Sequence, residues 1–417
     1  MNKLPDGWEI KKLKDIGNVY TGITPPTSDK ENFGNEHLFV TSADIKENKY
    51  IFNSIRKLSN KGFEKTKKFK KGDILYVCIG SIGKMALAKT DFSCNQQINV
   101  LRVNKEIDNE FIYYQLMNSF PYISKFISKR VVPIMNKTTF ENLEISLPSL
   151  DEQKRIASAL SKIDAYLENT IKLIEEKERF KIGIAKKLLT CKEGENIPEA
   201  RFKGFEDEWE IVKLGDIGTI TATGVDKKIN DNETPIKLLN YLDVFNRNKL
   251  YEKEISYMTT ATEKQLEKCN IRKGDLFITP SSEDKKGIAK SSVAMEDFKN
   301  TVYSYHIIRV RFNKEIDLKF KSYMCDTDFF HRQAYRLCDG SGQRYFIKLD
   351  NFRNMEICIP KSIEEQEKIG GYLSLLDEEI DNLKKQKELI KEMKRGAMQK
   401  LLSGEVRLSK NAFNENI

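Results

Sequence analysis

The chain has few residues of the kind that build metal sites and cross-links. Its three histidines, His37, His306 and His331, do not cluster. Its seven cysteines, Cys78, Cys94, Cys191, Cys269, Cys325, Cys338 and Cys358, are scattered and odd in number, with no Cys-x-x-Cys among them. Zinc sites draw ligands at short paired spacings and disulfide scaffolds use a dense, even set, so neither class is expected. A reducing cytoplasm is the expected compartment. Long apolar runs are also missing. The longest spans residues 74–79, far short of the roughly 20 apolar residues of a membrane helix. Charges at Lys3, Asp6 and Glu9 interrupt the N-terminus, and no signal peptide is expected.

Catalytic signatures are absent too. A self-sufficient adenine methyltransferase would carry an Asp/Asn-Pro-Pro-aromatic motif and a glycine-rich loop opening a helix. The only Pro-Pro, Pro25-Pro26, lies between Thr24 and Thr27. No Ser/His/Asp triad, paired carboxylates or metal cluster can be argued from spacing. No catalytic or metal-ligating residue is therefore assigned.

Charge, by contrast, is abundant. The 417 residues hold 71 Lys and Arg against 62 Asp and Glu, a net charge of +9. The surplus is moderate for this length and suits an anionic partner. The length itself accommodates two to four domains.

Two stretches stand out, residues 151–190 and 363–402. Neither contains proline, and both are dense in Glu, Lys, Leu and Ala, which favour helix. Ile156, Leu160, Ile163 and Leu167 recur at spacings of 4, 3 and 4 in the first; Ile369, Leu373, Leu376, Ile380 and Leu383 follow the same rule in the second. That alternation keeps an apolar stripe on one side of a helix and marks the seam of a helix pair, the expected interface. Lys177, Lys181, Lys387 and Lys394 fall on the seams and weaken them. Forty residues at about 1.5 Å each make a rod of roughly 60 Å.

The rest of the chain is duplicated as well. Trp8, Leu13, Ile16 and Gly17 reappear as Trp209, Leu214, Ile217 and Gly218; Lys71-Gly72-Asp73 as Lys273-Gly274-Asp275; residues 104–108 as 313–317; Glu152-Gln153 as Glu365-Gln366. The offset grows from 201 to 202, 209 and 213 along the chain while the order never changes. A period this long means two domains rather than a solenoid. The expected organisation is a globular domain over 1–148, a helix over 149–190, a linker over 191–207, a second domain over 208–360, a second helix over 361–403 and a frayed tail over 404–417. The fold class is α+β, a tandem repeat of two similar mixed α/β domains joined by two long coiled-coil helices. Strand-like runs fall at 38–40, 74–79, 85–88 and 98–103, and a short helix at 111–117, with Phe111, Tyr114 and Gln115 near one face.

The copies differ in their loops. Residues 61–71 are basic with interleaved Phe63 and Phe69, and there Lys67 and Lys68 can line a phosphate backbone; a solvated loop over two core aromatics is the alternative. Gly80-Ser81-Ile82-Gly83-Lys84 lets a backbone approach a ligand, with Ser81 and Lys84 at hand, or is a plain hairpin turn. Gln96 and Gln97 offer amides, and Arg130 and Lys137 add charge before the first long helix. In the second copy Lys285 and Lys286 occupy the corresponding turn, and Gln343, Arg344 and Tyr345 follow a Gly-Ser-Gly loop. Arg commonly reads guanine and Gln suits adenine. These thirteen residues are the candidate DNA contacts.

The ordered set of Gly7-Trp8 with Leu13, Asp15 and Ile16, the Lys71–Leu75 strand, the Gly-Ser-Ile-Gly turn and Leu147-Pro148 before Glu152-Gln153, most of it present twice, resembles the specificity subunit of type I restriction–modification enzymes. The resemblance implies two target-recognition domains, each reading half of a split site in double-stranded DNA, with the two helices packed antiparallel as a spacer in a pseudo-two-fold arrangement. It implies two modification subunits and, in the full enzyme, restriction subunits. Those partners would bring S-adenosylmethionine, ATP and Mg2+; this chain itself would bind no cofactor and no membrane. DNA has local two-fold axes across its length, so two similar readers need connectors that run in opposite directions, and equivalent groove faces recur about every 34 Å. The Gly-Ser-Ile-Gly turn has no copy in the second half, so no role is carried there. A coiled-coil adaptor would explain the helices but would leave the duplicated basic domains without a role.

Overall fold

The computed structural model describes residues 4–46, 48–127, 133–192, 195–341 and 344–408. Arg130 and Gln343 lie outside the described residues. Among the described residues no helix is long and apolar enough to cross a membrane. The chain forms two compact units, Met1–Leu173 with Leu383–Ile417, and Ile174–Asn382. Each unit therefore takes in part of both long helices rather than ending where a helix begins.

In the first unit, strands Gly17–Thr21, Ile98–Val103, Ile74–Val77, Met85–Ala88 and Tyr50–Ile51 lie in that order in a five-stranded sheet. A three-stranded sheet orders Arg56–Leu58, Phe33–Val40 and Phe92–Cys94, and Glu9–Lys12 pairs antiparallel with Glu144–Leu147. The second unit repeats all three sheets in the same order. Gly218–Thr221, Ile308–Phe312, Leu276–Ile278, Ser291–Ala294 and Lys249–Leu250 make the larger sheet; Met258–Ala261, Thr234–Leu239 and Thr301–Tyr303 the smaller. Glu210–Lys213 pairs with Glu356–Ile359. The helix expected at 111–117 runs from Asn109 to Ile123, and Phe111 through Leu116 are all buried. It is covered on all sides there, so a one-face reading understated it.

Each duplicated motif has a structural reason. Gly72 and Gly274 take φ of 91° and 86°, a left-handed conformation that favours glycine. The turn lets Asp73 accept from the Lys70 amide at 2.9 Å and bind Arg102 at 2.6 Å; Asp275 does the same with Arg272 at 2.8 Å and Arg311 at 2.6 Å. Asp108 and Asp317 cap the helices that follow them, each accepting at 2.8 Å from the amide three residues on. Gln153 accepts from the Asp108 amide at 2.9 Å and donates to Pro148 O at 2.8 Å; Gln366 repeats both contacts at 2.8 Å with Asp317 and Pro360. Trp8 meets Phe111 edge-on at 6.4 Å, and Trp209 meets Phe320 at 6.5 Å.

The long helices run Leu150–Leu189 and Ile363–Leu402. Within each unit their segments are antiparallel. In the first, Asp164 meets Lys394 at 2.6 Å, and Ile156 and Leu160 share a core with Met398 and Leu401. In the second, Lys177 meets Glu379 at 2.6 Å, Lys181 meets Asp377, and Ile369 and Leu373 share a core with Leu188 and Leu189. The lysines that interrupt the stripes at 177, 181 and 394 are thus paired with acids of the facing helix, while Lys387 pairs with its neighbour Glu388. Ile156, Leu160, Ile369 and Leu373 are buried in the globular cores as well as in the seam. Ile163 and Leu167 are half-buried, Leu376 and Ile380 buried and Leu383 half-buried.

Residues 404–408 of the tail expected to fray are described and held in place, and 409–417 lie outside the described residues. Arg407 holds the buried carboxylate of Glu152 at 2.6 and 3.0 Å and donates to Asp6 O at 3.0 Å. Arg201, in the linker, treats Glu365 and Asp207 O in the same way at 2.7–2.8 Å. Residues up to 408 are held because a buried Glu needs a cation beside it.

Candidate nucleic-acid interface

The pairing registers gather several loops of the first unit at one end of its sheets. Thr21 lies opposite Asn99, and Val40 beside Cys94, so residues 22–24, 41–42 and 95–97 emerge together. Residues 78–84 turn between antiparallel strands whose tip lies at the same end, and Cys78 donates its amide to Gln97 O at 2.7 Å. Gly80 and Gly83 take φ of 79° and 92°, as a tight hairpin requires. Ser81 and Lys84 are exposed on this turn. Gln96 is exposed with its oxygen accepting from Thr24 at 2.6 Å; Gln97 is half-buried with its oxygen taking Ser42 at 3.2 Å and Asn95 at 3.0 Å. The Gln97 amide thus orders the loop with its oxygen. Lys137 opens the helix Lys137–Glu141 just after Met135, whose amide reaches Cys78 O, and it pairs with Glu141 at 3.2 Å.

Lys67 and Lys68 are not part of that cluster. Their stretch leads to Phe69, which bridges Phe92 at the start of the strand Phe92–Cys94, the far end from Asn95. Acids neutralise much of it: Lys61 and Lys65 meet Asp29 at 3.2 Å, Lys70 meets Asp91 at 2.7 Å, and Lys68 pairs with Glu64. Phe69 is core, whereas Phe63 stacks on His37 at 4.0 Å. Of the two core aromatics expected under this stretch, Phe69 alone is core, and Lys67 and Lys68 are exposed above it.

The second unit builds its turn differently. Residues 279–290 replace the short hairpin tip, and Ala289 there is buried with φ of 59°, the one positive φ outside glycine among the described residues. Ser281–Ser282 pairs with Arg344–Phe346, which pairs with Asp339–Ser341, so a three-stranded arm joins candidate loops about 60 residues apart. Arg344 donates to the Ser281 hydroxyl at 3.3 Å, and the Lys285 ammonium lies 5.5 Å from the Tyr345 ring centre. Lys286 is exposed beside it. His306, with Arg344, Tyr241 and Ser282, lines a cleft of about 560 Å3. Burial, then Lys227 and Arg344, push the His306 imidazole below its ordinary value. That shift favours the neutral imidazole, with one donor and one acceptor nitrogen, a form suited to a base edge.

Sequence reasoning missed His306 and the arm, because an isolated histidine and three residues either side of a loop carry no periodic signal. It also missed a duplicated polar network beneath each unit. Lys49 donates to Glu110 at 2.8 Å, Tyr114 at 2.9 Å and Ser161 at 2.7 Å, while Tyr114 donates to Asp164 at 2.5 Å. In the second unit Lys249 donates to Ser374 at 2.9 Å, and Tyr323 donates to Asp377 at 2.5 Å. Burial lowers both lysines; for Glu110, burial is outweighed by Lys49, Ser161 and Tyr50, which hold its carboxyl below the ordinary value. Ser161 and Ser374, like Asp164 and Asp377, stand at the offset of 213, so the repeat carried this signal unread.

A family model described as the type I restriction modification DNA specificity domain matches residues 5–176 and again 206–392. The chain is 24% identical over 415 residues to the type I restriction enzyme MjaVIII specificity subunit of Methanocaldococcus jannaschii, covering 99% of this chain and 96% of that protein. It is 26% identical to the MjaIX specificity subunit of the same organism, covering 98% and 95%. Among solved structures, the S subunit of a type I restriction-modification system from M. genitalium aligns with a TM-score of 0.56 at 18% identity over 96% of this chain and 97% of that one. A chain from a study of complex assembly and conformational transition of the type I R-M system aligns at 0.61 and 16% identity, covering 97% and 100%.

Proposed function

The chain belongs to the type I restriction modification DNA specificity domain family, and we propose that each of its globular units reads one half of a split DNA site while the helix pair sets the unread spacer. The chain is a non-catalytic subunit in this reading. Two modification subunits assemble on it, with restriction subunits in the full enzyme, in the cytoplasm. S-adenosylmethionine, ATP and Mg2+ then belong to those partners. The observation that carries the reading is the contrast within the repeat. Sheet order, helix caps, buried Trp and Glu–Arg pairs recur, whereas the turns at 78–84 and 279–290 and the arm differ in sequence and form. A rigid frame with differing loops is how recognition diversifies.

The helices also leave apolar surface uncovered. Tyr166, Leu173 and Phe180 recur every seven residues and are 54%, 41% and 53% exposed. Leu389 and Met393 are exposed on the other helix. A seven-residue stripe fits the seam of a further helix, as a docking subunit would supply.

Two tests bear on this reading. Arg344→Ala should weaken binding to the cognate site by about 1–3 kcal/mol and relax one base position, while Lys285→Ala should weaken binding across sequences and lower the salt slope by about 1. Titrations of the assembled complex on cognate and altered duplexes at several salt concentrations read both. Equal losses on all duplexes for Arg344→Ala would remove it from base reading. Lengthening both helices by 7 residues adds roughly 10 Å and should lengthen the unread spacer by about 3 base pairs; an unchanged spacer would sink the ruler role.

A further inference from the structure

Beyond DNA reading, one pair of side chains in the second unit is placed for chemistry. Cys191 and Cys358 lie 2.9 Å apart, sulfur to sulfur, with both thiols free. The approach is built by the fold. Cys191 follows the end of the first long helix and bridges Pro198 across the linker turn. Cys358 lies opposite Ile211 in a two-stranded sheet. Strand alternation buries its neighbours Ile357 and Ile359 in the core and turns Cys358 to the other face, where the linker covers it. The remaining cysteines have no such partner among the described residues, and Cys78, Cys94, Cys269 and Cys325 are buried.

The pair is also reachable. Both cysteines line an open cleft of about 880 Å3 with Lys186, Lys192 and Arg332 around it. The two thiols share one hydrogen bond, in which either sulfur can donate. That contact holds Cys191 below the ordinary thiol value against the effect of burial, with Arg201 assisting, and it raises Cys358 together with burial. An attacking thiolate beside a resolving thiol is the arrangement of redox-sensing cysteines.

We propose that Cys191 and Cys358 are a peroxide-sensitive thiol pair that closes reversibly to a disulfide. The Cys191 thiolate attacks one oxygen of a peroxide; the O–O bond breaks, leaving Cys191 sulfenic acid and hydroxide, which takes a proton to become water. Cys358 then attacks the Cys191 sulfur as its S–H proton passes to the departing hydroxide; the S–O bond breaks and the hydroxide leaves as a second water. Two thiols and one hydrogen peroxide give one disulfide and two waters, the sulfurs being oxidised and the peroxide reduced. The bond joins positions 167 residues apart and fastens the linker after the first long helix to the strand that leads into the second.

The test is peptide mapping of the full chain after brief hydrogen peroxide treatment and alkylation under non-reducing conditions. The expected result is loss of two of the seven alkylatable thiols, a single cross-link between the peptides holding Cys191 and Cys358, and recovery of both thiols with dithiothreitol. In Cys358→Ser, dimedone should trap Cys191 as the sulfenic acid. Wild-type mapping decides the matter if that variant fails to fold. Retention of both thiols at doses that oxidise surface methionines would overturn the proposal. So would a Cys191 that goes to sulfinic acid or joins another cysteine in the wild-type chain.

Discussion

Exchange of residues 1–148 for the matching domain of a relative changes one half of the methylated site and leaves the other half as it was. The expectation follows from where the differing loops reside. In the first unit the turn at 78–84, the amides at 95–97 and the helix start at Lys137 all rise from sheets formed by residues 1–148. The second unit draws its own turn and arm from residues 279–346. Contacts that join domain to helix, such as Gln153 with Asp108 and Ser161 with Lys49, use residue types that the second unit repeats at Gln366 with Asp317 and Ser374 with Lys249. An exchanged domain that supplies those partners seats on the same helix. Base contacts are each worth about 1–3 kcal/mol, so the loss of a set of them is a change of site rather than a weakening. Sequencing of methylated genomic DNA reads the outcome directly. If both halves changed, the two-reader account would be wrong.

Replacing Lys49 by Ala should destabilise the first unit by about 3–5 kcal/mol, because it leaves a partly buried acid without its cation. The Lys49 side chain is only 6% exposed and donates to Glu110, Tyr114 and Ser161 at once. Lys49→Met, which keeps the stem, still strands Glu110 and should recover only a part of the loss. The chain has two tryptophans, Trp8 and Trp209, each buried in the core of a different unit. In a Trp209→Phe background, urea unfolding followed by Trp8 fluorescence reports the first unit alone. A shift below about 0.5 kcal/mol would class the network with weak surface ion pairs.

Much of the frame is legible in the sequence because it obeys periodic or capping rules. The 4-3 spacing of Ile369, Leu373, Leu376, Ile380 and Leu383 gives a helix that the structure runs over Ile363–Leu402, and short β-like runs bounded by Gly, Asn and Asp give strands at Met85–Ala88 and Ile98–Val103. The lysines at 177, 181 and 394 read as breaks in a stripe, since their acids sit on a helix some 200 residues away. The candidate interface is legible only as loops. Lys285 and Tyr345 meet through strands of two or three residues, too short for any pattern. The oxygen of Gln97 turns inward to Ser42, a contact that depends on how separate strands align.

This chain gives a DNA-modifying complex its sequence specificity. Single-molecule sequencing of methylated genomic DNA tests it most directly, in a host that holds the modification subunit with and without this chain. A split methylated motif with two fixed half-sites and a constant unread spacer, present only when the chain is present, is the predicted result. The same set of methylated motifs with and without the chain would contradict it.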